Sequence, residues 1–406
     1  MKVALVHDYL NQNGGAEKVL AAIADLFPRA PIYTLLYDPQ VVGREFSRRD
    51  IRTSWLQRMP FARRHYAKYL PFFPLFVENM DLSAYDLVVS DSSAWAKGVL
   101  TFAPTVHVSY LHTPMRFAWD YFHPTVGGTP LPMRGLLAAV MNYLRVWDVV
   151  ATRRVDFLAC NSRTVQERIR KYYGRGAEVI PPPVDTAFYT PPANGHRPAG
   201  VPAEPYFLTV CRLKPYKKVN LAVEAFRGLD SRLVVVGEGP EREALRKAAG
   251  PNVTFVPAVD DEAVRDYYRY ASAFIMPAYE DFGIAPVEAM ACGTPVIAFR
   301  RGGALDTVID GITGCFFPEQ TADALCEAVR SFDPQRYDAA VIRNHAVRYD
   351  RSWFKARFAE FVWACYEKAR RRSPAETVRP VPRAPRPAAG VAAVYNHETV
   401  WDRRLL

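Results

Sequence analysis

The sequence predicts an α/β protein with two Rossmann-like domains, each built around a parallel sheet. Short apolar runs rich in β-branched residues alternate with helical patterns, beginning with the strand KVALVHDY and the helix GAEKVLAAIADLF. The alternation begins again near residue 205 with YFLTVC and continues to TPVIAF at 294–299. Between the two halves, the segment 181–205 contains eight prolines, which is typical of an interdomain connection. Alternating strands and helices favour parallel sheets, so each half is predicted to form its own domain.

The predicted domain boundaries follow from these breaks in the pattern. We expect a first domain over 1–190, a linker over 191–205 and a second domain over 206–350. Aromatic and aliphatic side chains recur at helical spacing over 351–371, so this segment is predicted to be a helix with one buried face. The Pro/Arg-rich tail over 372–406 cannot form a packed core and is predicted to be disordered.

The composition is typical of a soluble globular protein of two domains, with 406 residues, 50% hydrophobic and 23% charged. No apolar run reaches about 18 residues, and the N-terminus enters a strand directly. We therefore expect neither a membrane span nor a signal peptide. The six cysteines lack paired metal-ligand spacing, and we interpret them as reduced thiols of a cytoplasmic protein without a metal site.

The net charge of +10 is concentrated in two segments, 51–77 and 368–387. The first contains five Arg or Lys residues, seven aromatic residues and no carboxylate. One interpretation is a buried aromatic face with a solvated basic edge, and the other is an amphipathic element on an anionic membrane. In the membrane interpretation the surface residues are Trp55, Arg58, Arg63, Arg64 and Lys68, with Phe61, Phe72 and Phe73 entering the interface. No nucleic-acid-binding motif accompanies these residues, so nucleic acid is not an expected partner.

Charged residues in the second half follow the ends of predicted strands. In YEDFGIAPVEAMACGTPVIAF, Glu280 follows one strand and Glu288 lies in the first turns of the next helix. In CRLKPYKK, Arg212, Lys217 and Lys218 follow another strand. Open α/β sheets bind ligands at the carboxyl ends of their strands. Cations neutralise phosphates and carboxylates accept hydrogen bonds from hydroxyls, so a nucleotide diphosphate joined to a polyhydroxylated group fits this set.

Two features of the first half have both a structural and a functional interpretation. Gly14 and Gly15 lie between the first strand and its helix, either as a plain tight turn or as a loop that an anion approaches closely. The segment YLHTPMRFAWDYF places His112, Arg116 and Asp120 just after a buried strand, where they are structural or part of a site. A D-x-D pair able to hold a metal against a diphosphate is not evident, so the cations are expected to neutralise it.

Together these residues resemble the retaining glycosyltransferases of family 4, which have the GT-B fold of two Rossmann-like domains facing each other across a cleft. The resemblance covers roughly residues 1–370, and its most specific part is the pair of glutamates separated by seven residues, Glu280 and Glu288. It implies that Glu280 meets the hydroxyls of the donor sugar and that Glu288 binds the nucleotide ribose. It also implies that the helix over 351–371 crosses back from the second domain to the first.

The same resemblance assigns further roles. Arg212 and Lys217 are expected to clasp the diphosphate, and His112 to lie beside the reacting anomeric carbon, so that these three and Glu280 form the catalytic set. Lys218 stands where many family members have glycine. The remaining donor-binding positions implied by the family are Gly15, Val259 in the base-reading loop, and the backbone amides of Phe282, Gly283 and Ile284.

The openings HDYLNQNGGAEKVL and PIYTLLYD resemble bacterial mannosyltransferases that use GDP-mannose to assemble O-antigen or exopolysaccharide units. This resemblance implies transfer of a hexose to a polyprenyl-linked or glycan acceptor, without a metal or cofactor, at the inner face of the cell membrane. Two alternatives stay open: a sugar-nucleotide epimerase on the same fold, and a non-catalytic membrane-surface protein that binds sugar nucleotides. Release of free nucleotide only in the presence of an acceptor separates the transferase from the epimerase.

Overall fold

The computed structural model describes residues 1–42, 44–193 and 197–372, which form two α/β domains. The tail predicted to be disordered lies outside the described residues from position 373 onward. The strands of the first domain are Val3–His7 (β1), Ile32–Thr34 (β2), Ile51–Thr53 (β3), Leu87–Ser92 (β4), Val106–Leu111 (β5), Phe157–Cys160 (β6) and Glu178–Val179 (β7). They form one sheet in the order β3-β2-β1-β4-β5-β6-β7, and all neighbours are parallel.

Helices cover both faces of this first sheet. They are Gly15–Leu26 (α1), Ala62–His65 (α2), Phe73–Glu78 (α3), Phe122–Gly127 (α4), Leu131–Arg153 (α5) and Arg163–Tyr173 (α6). Strands β4 and β5 are buried along their whole length, as expected for parallel strands covered on both faces. Their carboxyl ends at residues 92 and 111 therefore open onto one edge of the domain.

The second domain repeats this plan with a six-stranded parallel sheet in the described part of the chain. Its strands are Tyr206–Val210 (β8), Arg232–Val236 (β9), Val253–Val256 (β10), Ala273–Met276 (β11), Val296–Phe299 (β12) and Gly314–Phe317 (β13), in the order β10-β9-β8-β11-β12-β13. Its helices are Val219–Phe226 (α7), Arg242–Ala248 (α8), Asp261–Tyr270 (α9), Ile284–Ala291 (α10), Ala304–Thr307 (α11), Ala322–Arg330 (α12) and Ala339–Ala346 (α13). The order reverses between β8 and β11, which creates a crevice at their carboxyl ends.

A last helix, Arg351–Arg372 (α14), returns to the first domain. Its side chains Phe354, Phe358 and Val362 are buried in the first-domain core together with residues of α1. At its start, Arg351 Nη2 donates to a carboxylate oxygen of Asp25 in α1 at 3.1 Å. The predicted fold class, two parallel-sheet domains of GT-B type with a C-terminal crossover helix, is confirmed.

The chain passes from the first domain to the second near the start of the proline-rich segment 181–205. Val184 and Tyr189 are already buried in the second-domain core, and the backbone N–H of Val184 donates to the carbonyl of Tyr349 at 2.9 Å. The packing thus places the crossover slightly earlier than the predicted boundary at residue 190. The six cysteines are free thiols. No helix among the described residues combines the length and apolar character that crossing a membrane requires.

The basic, aromatic segment 51–77 is not one continuous amphipathic helix. It consists of β3, short helical turns, and α2 and α3, because Pro60 and Pro71 interrupt longer helices. Phe73, which we expected at a membrane interface, is instead 1% exposed and packs against the Trp95 ring with centroids 4.9 Å apart. The expectation for Phe73 is therefore wrong, since α3 turns this ring into the core.

Candidate functional site

A cavity of about 520 Å³ lies between the two domains, where the carboxyl ends of both sheets meet. It brings together nearly every site residue predicted from the sequence: Gly15, His112, Arg212, Lys217, Glu280, Phe282, Gly283, Ile284 and Glu288. Val259 is not among the lining residues and packs, partly buried, against the second-domain core. Its neighbour Asp261, at the start of α9, lines the cavity instead.

The loop that carries Glu280 is held in place by a close backbone approach. The N–H of Gly303 donates to the carbonyl of Glu280 at 2.9 Å. A Cβ at Gly303 would lie 2.3 Å from the Phe282 backbone, so only glycine fits at this contact. These contacts fix the loop that connects β11 to α10, and so hold Glu280 at the edge of the cavity.

Glu280 and Lys217 form a close ion pair inside the cavity. Lys217 Nζ donates to Glu280 Oε1 at 2.5 Å, and both side chains are largely shielded from solvent. Burial by itself lowers the pKa of Lys217, but the charge of Glu280 outweighs it and raises that pKa above the usual lysine value. Lys217 thus stays a cation beside a carboxylate, which places one group for phosphate and one for hydroxyls side by side.

Lys218, which follows directly, plays no such part. Its backbone has φ +54°, the left-handed region that favours glycine, and its side chain is exposed. The glycine that many family members carry at this position therefore has a conformational reason. We assign Lys218 no contact in the cavity.

Glu288 is buried in α10 and is held by both domains. Its Oε1 accepts from Lys18 Nζ of α1 at 2.7 Å, and its Oε2 accepts from the Tyr268 hydroxyl at 3.1 Å. Burial lowers the pKa of Lys18, and the neighbouring charge of Glu288 outweighs this and raises it. Lys18 was not predicted as a site residue, although its place directly after the glycine loop was a usable signal.

Arg212 also reaches across the cleft to the first domain. Its Nη1 donates to Gln12 Oε1 at 2.7 Å and its Nη2 donates to the carbonyl of Asn13 at 3.1 Å. On the same side, a Cβ at Gly15 would lie 2.8 Å from Ile284 Cδ1. The absence of a side chain at Gly15 therefore lets α1 and α10 approach each other at the cavity.

A second ion-pair cluster joins the domains beside Glu280. Asp281 pairs with Arg168 and, at 3.3 Å, with Arg116 Nη1, both from the first domain. Arg116 Nη2 also donates to the carbonyl of Tyr279 at 3.3 Å. Sequence reasoning singled out Arg116 but missed Asp281 and Arg168, since nothing local links residues so far apart in the chain.

His112 lies on the first-domain side of the cavity, just after β5. Its Nε2 lies 2.7 Å from Asp91 Oδ1, and 13% of its side chain is exposed. Asp120, considered with it, accepts instead from the Tyr172 hydroxyl at 2.6 Å and is not among the cavity-lining residues. Within the described ranges, no group of three or more His, Cys, Asp or Glu side chains is placed to hold a metal ion.

Two family descriptions match the chain, one for each domain. Residues 13–188 match the family described as Glycosyltransferase Family 4, and residues 197–345 match Glycosyl transferases group 1. The boundary between the matched regions falls at the proline-rich crossover. Each domain of the structure therefore corresponds to a separate glycosyltransferase family description.

Curated relatives share about a third of the aligned residues. A D-inositol 3-phosphate glycosyltransferase of Acidothermus cellulolyticus is 34% identical over 223 residues, 48% of this chain and 46% of the relative. A GDP-mannose-dependent alpha-(1-6)-phosphatidylinositol monomannoside mannosyltransferase of Mycolicibacterium smegmatis is 32% identical over 216 residues, 46% of this chain and 56% of the relative. The matches span about half the length of these relatives.

Solved structures share the fold over nearly the whole chain. The sucrose-phosphate synthase of Thermosynechococcus elongatus has a TM-score of 0.70 at 20% identity, covering 91% of this chain and 100% of its own. Anabaena HepE in complex with UDP and glucose has a TM-score of 0.65 at 20% identity, covering 90% and 100%. The chain therefore has the GT-B fold, with a first domain that matches the family 4 description and a second domain that matches the group 1 description.

Proposed function

We propose that the protein is a retaining glycosyltransferase that moves a hexose from a nucleotide diphosphate sugar to a lipid-linked or glycan acceptor. The observation that carries this proposal is the interdomain cavity, in which Arg212, Lys217, Glu280 and Glu288 lie together. GDP-mannose is the favoured donor, and the named dependence of the Mycolicibacterium relative on GDP-mannose supports that choice. The assignment of roles within the cavity follows the resemblance to family 4 and is compatible with the chemistry of these side chains.

In this proposal, Arg212 and Lys217 receive the diphosphate and Glu280 receives the sugar hydroxyls. Because Lys217 and Glu280 are in direct contact, the bond between diphosphate and sugar would lie against this pair. The acceptor oxygen attacks the anomeric carbon from the face that the diphosphate leaves, the C–O bond to phosphate breaks, and a phosphate oxygen takes the acceptor proton. The two cations stabilise the charge that develops on the departing diphosphate.

The nucleotide end of the donor is assigned to the α10 side of the cavity. Ribose hydroxyls would donate to Glu288, which Lys18 and Tyr268 now engage. The backbone around Val259 stays our assignment for base recognition, with Asp261 close by on the cavity wall. The backbone amides of Phe282, Gly283 and Ile284 are assigned to the diphosphate and sugar, since this loop borders the same cavity.

The donor is tested by ligand-dependent stabilisation. A ligand at 100 times its dissociation constant adds about 2.7 kcal/mol to the unfolding free energy, which thermal denaturation detects readily. We expect GDP-mannose to stabilise the full chain more than UDP-glucose, ADP-glucose or TDP-glucose. No stabilisation by any of the four would refute the proposed function.

The reaction class is tested by following free nucleotide. A transferase releases GDP from GDP-mannose mainly when an acceptor is supplied, whereas an epimerase changes the sugar without acceptor-dependent release. Polyprenyl-diphosphate-linked sugars and soluble glycans serve as two separate acceptor classes. GDP-sugar binding without any release in either class would instead favour the non-catalytic alternative.

Transfer is proposed to be metal-independent, because Arg212, Lys217 and the amides of the 282–284 loop supply positive charge for the diphosphate. The prediction is that an excess of chelator leaves the initial rate within about twofold of the untreated rate, since a modest change in ionic conditions alone alters electrostatic binding. Loss of activity in chelator, restored by added Mg²⁺, would contradict it.

We also propose that the first domain binds an anionic membrane surface. Trp55, Phe61 and Phe72 are 44%, 79% and 56% exposed, and no carboxylate lies within the same segment. The neighbouring basic side chains are exposed as well: Arg58, Arg63, Arg64 and Lys68. Helix α5 adds exposed Leu131 and Leu136 to the same domain. Exposed aromatic and aliphatic groups beside cations are typical of a protein that inserts into an anionic interface.

The membrane prediction is tested with vesicles. The variant with Arg58, Arg63, Arg64 and Lys68 all changed to Ser should lose co-sedimentation with anionic vesicles at low salt, because each basic residue contributes about 1 kcal/mol. A control variant changes four exposed basic residues of the second domain to Ser: Arg246, Lys247, Arg330 and Arg336. If both variants sediment like the parent, this surface is not the anchor.

A further inference from the structure

A chain of two carboxylates and two imidazoles runs behind the first-domain wall of the cavity. Asp91 lies at its centre, with Oδ1 2.7 Å from His112 Nε2 and Oδ2 2.8 Å from His7 Nδ1. The other nitrogen of His7, Nε2, lies 3.6 Å from Glu17 Oε1. His7, Asp91 and Glu17 are almost fully buried, and of the four residues His112 and Glu17 line the cavity.

The parallel sheet assembles this chain from distant parts of the sequence. His7 in β1 and Asp91 in β4 are direct partners in the strand register. His112 follows β5, which pairs with β4 on the other side, and Glu17 returns over His7 in the first turn of α1. Each residue occupies the carboxyl edge of the sheet, where the cavity forms.

The charges along the chain depend on one another. Burial lowers the pKa of His7, but the hydrogen bond to Asp91 and the nearby carboxylate of Glu17 outweigh it and raise that pKa to about 10. Burial raises the pKa of both carboxyls, and their contacts with the histidines outweigh it and lower both values. At neutral pH the buried part therefore holds one imidazolium between two carboxylates.

His112 thus faces a net negative charge. Burial lowers its pKa, and the charge and hydrogen bond of Asp91 outweigh this and raise it, while the charge of His7 lowers it. Asp8 adds a further negative charge, held by the backbone N–H groups of residues 93–96. The ring of Tyr110 packs edge-on against His112 with centroids 5.3 Å apart.

We propose that Asp91 and His7 are positioning residues for His112. Asp91 occupies Nε2 and fixes the orientation of the ring, which leaves Nδ1 as the nitrogen available to a ligand. His7 and Glu17 set how much negative charge Asp91 presents, and so whether Nδ1 carries a proton and donates or lacks one and accepts. The inference rests on the proposed function only for the identity of that ligand, a sugar or phosphate oxygen of the donor.

The arrangement predicts that substitutions of Asp91 and of His7 shift the titration of His112 in opposite directions. In Asp91→Asn the ring keeps a hydrogen-bond partner but loses the carboxylate charge, so the midpoint of His112 titration should fall by about one pH unit. In His7→Gln the cation beside Asp91 is removed, so the midpoint should rise. In the double variant His7→Gln/Glu17→Gln the net charge of the buried part is unchanged, and the midpoint should lie between those of the parent and His7→Gln.

The midpoints are measured on the full chain by NMR of ¹⁵N-labelled histidine rings over pH 5 to 9. The His112 signals are those missing from His112→Gln. A shift of Asp91→Asn and His7→Gln in the same direction, or no shift in either, overturns the proposal. The double variant keeps the net charge of the buried part, so it provides a second test if a single variant fails to fold. A midpoint equal to that of His7→Gln would contradict the role given to Glu17.

A second measurement separates this inference from the proposed function. The pH dependence of GDP release from GDP-mannose in the presence of acceptor should move with the NMR midpoint in each variant. If the parent does not bind GDP-mannose, the proposed function fails while the NMR test still decides the inference. If the parent turns over donor and the pH profiles of the variants coincide with its own, the positioning role is overturned.

Discussion

The two walls of the interdomain cavity offer a ligand different chemistry. The second-domain wall presents charged side chains directly, with Arg212 and Lys217 after β8 and Glu280 after β11. The first-domain wall presents a bare glycine loop, Lys18 and His112, while the carboxylate of Asp91 stays buried behind His112. The second-domain wall acts by direct contact, and the first-domain wall in addition orients His112 through buried groups behind it.

This difference has a physical origin in how each wall is built. Lys217 and Glu280 lie on loops and pair with each other at the cavity, where a ligand can contact both directly. A buried carboxylate is costly unless it is paired and hydrogen-bonded, which is why Asp91 contacts two histidines. Substitutions on the second-domain wall should therefore alter binding or turnover, whereas those on the first should alter pH dependence and stability.

The largest expected effect is the loss of a diphosphate cation. Lys217→Met should lower kcat/KM for transfer by about 100-fold or more, as removal of one preorganised group that stabilises developing charge commonly does. The control is Lys214→Met, an exposed lysine in the same loop that does not line the cavity. Initial rates at limiting donor concentration measure kcat/KM for both variants. Comparable rates for the two variants would show that direct contact is not how this wall acts.

A smaller effect should divide the roles of the two glutamates. Glu288→Gln should weaken GDP binding about tenfold, because it loses charge-assisted hydrogen bonds to ribose. Glu280→Gln should lower kcat while leaving GDP affinity within about twofold, since its assigned contacts are to the sugar. Calorimetric titration with GDP and steady-state kinetics provide the two readouts. Equal loss of GDP affinity in both variants contradicts the assignment.

The smallest effect concerns stability on the first-domain wall. The folded-state pKa of His7 is raised from 6.5 to about 10, so its charge stabilises the fold fully below pH 6.5 and ceases to do so as pH rises towards 10. The unfolding free energy of the parent should thus fall more steeply between pH 7 and 10 than that of His7→Gln. Urea denaturation at several pH values measures the difference, and parallel curves would show that His7 is not a buried cation.

Much of the second-domain wall could be predicted because its signals are local. Glu280 and Glu288 are eight positions apart around one strand–helix junction, and Arg212 and Lys217 share one loop. The first-domain wall offered fewer signals, and of its lining residues the sequence indicated Gly14, Gly15 and His112. His7 and Asp91 each look like ordinary strand residues, and they are 84 positions apart. Phe73 was misassigned for a related reason, since its burial depends on Trp95 across the domain.

By itself, the sequence determined the two parallel sheets, the crossover helix and the charged loops, because apolar periodicity and strand-end residues act over a few positions. Tertiary structure decided which groups meet across the cleft, namely Lys18 with Glu288 and Arg168 with Asp281. It also decided that Asp91 lies between two histidines. Strand order and register fix the contact of Asp91 with His7, and the packing of the two domains against each other fixes the other two pairs; no local pattern encodes either.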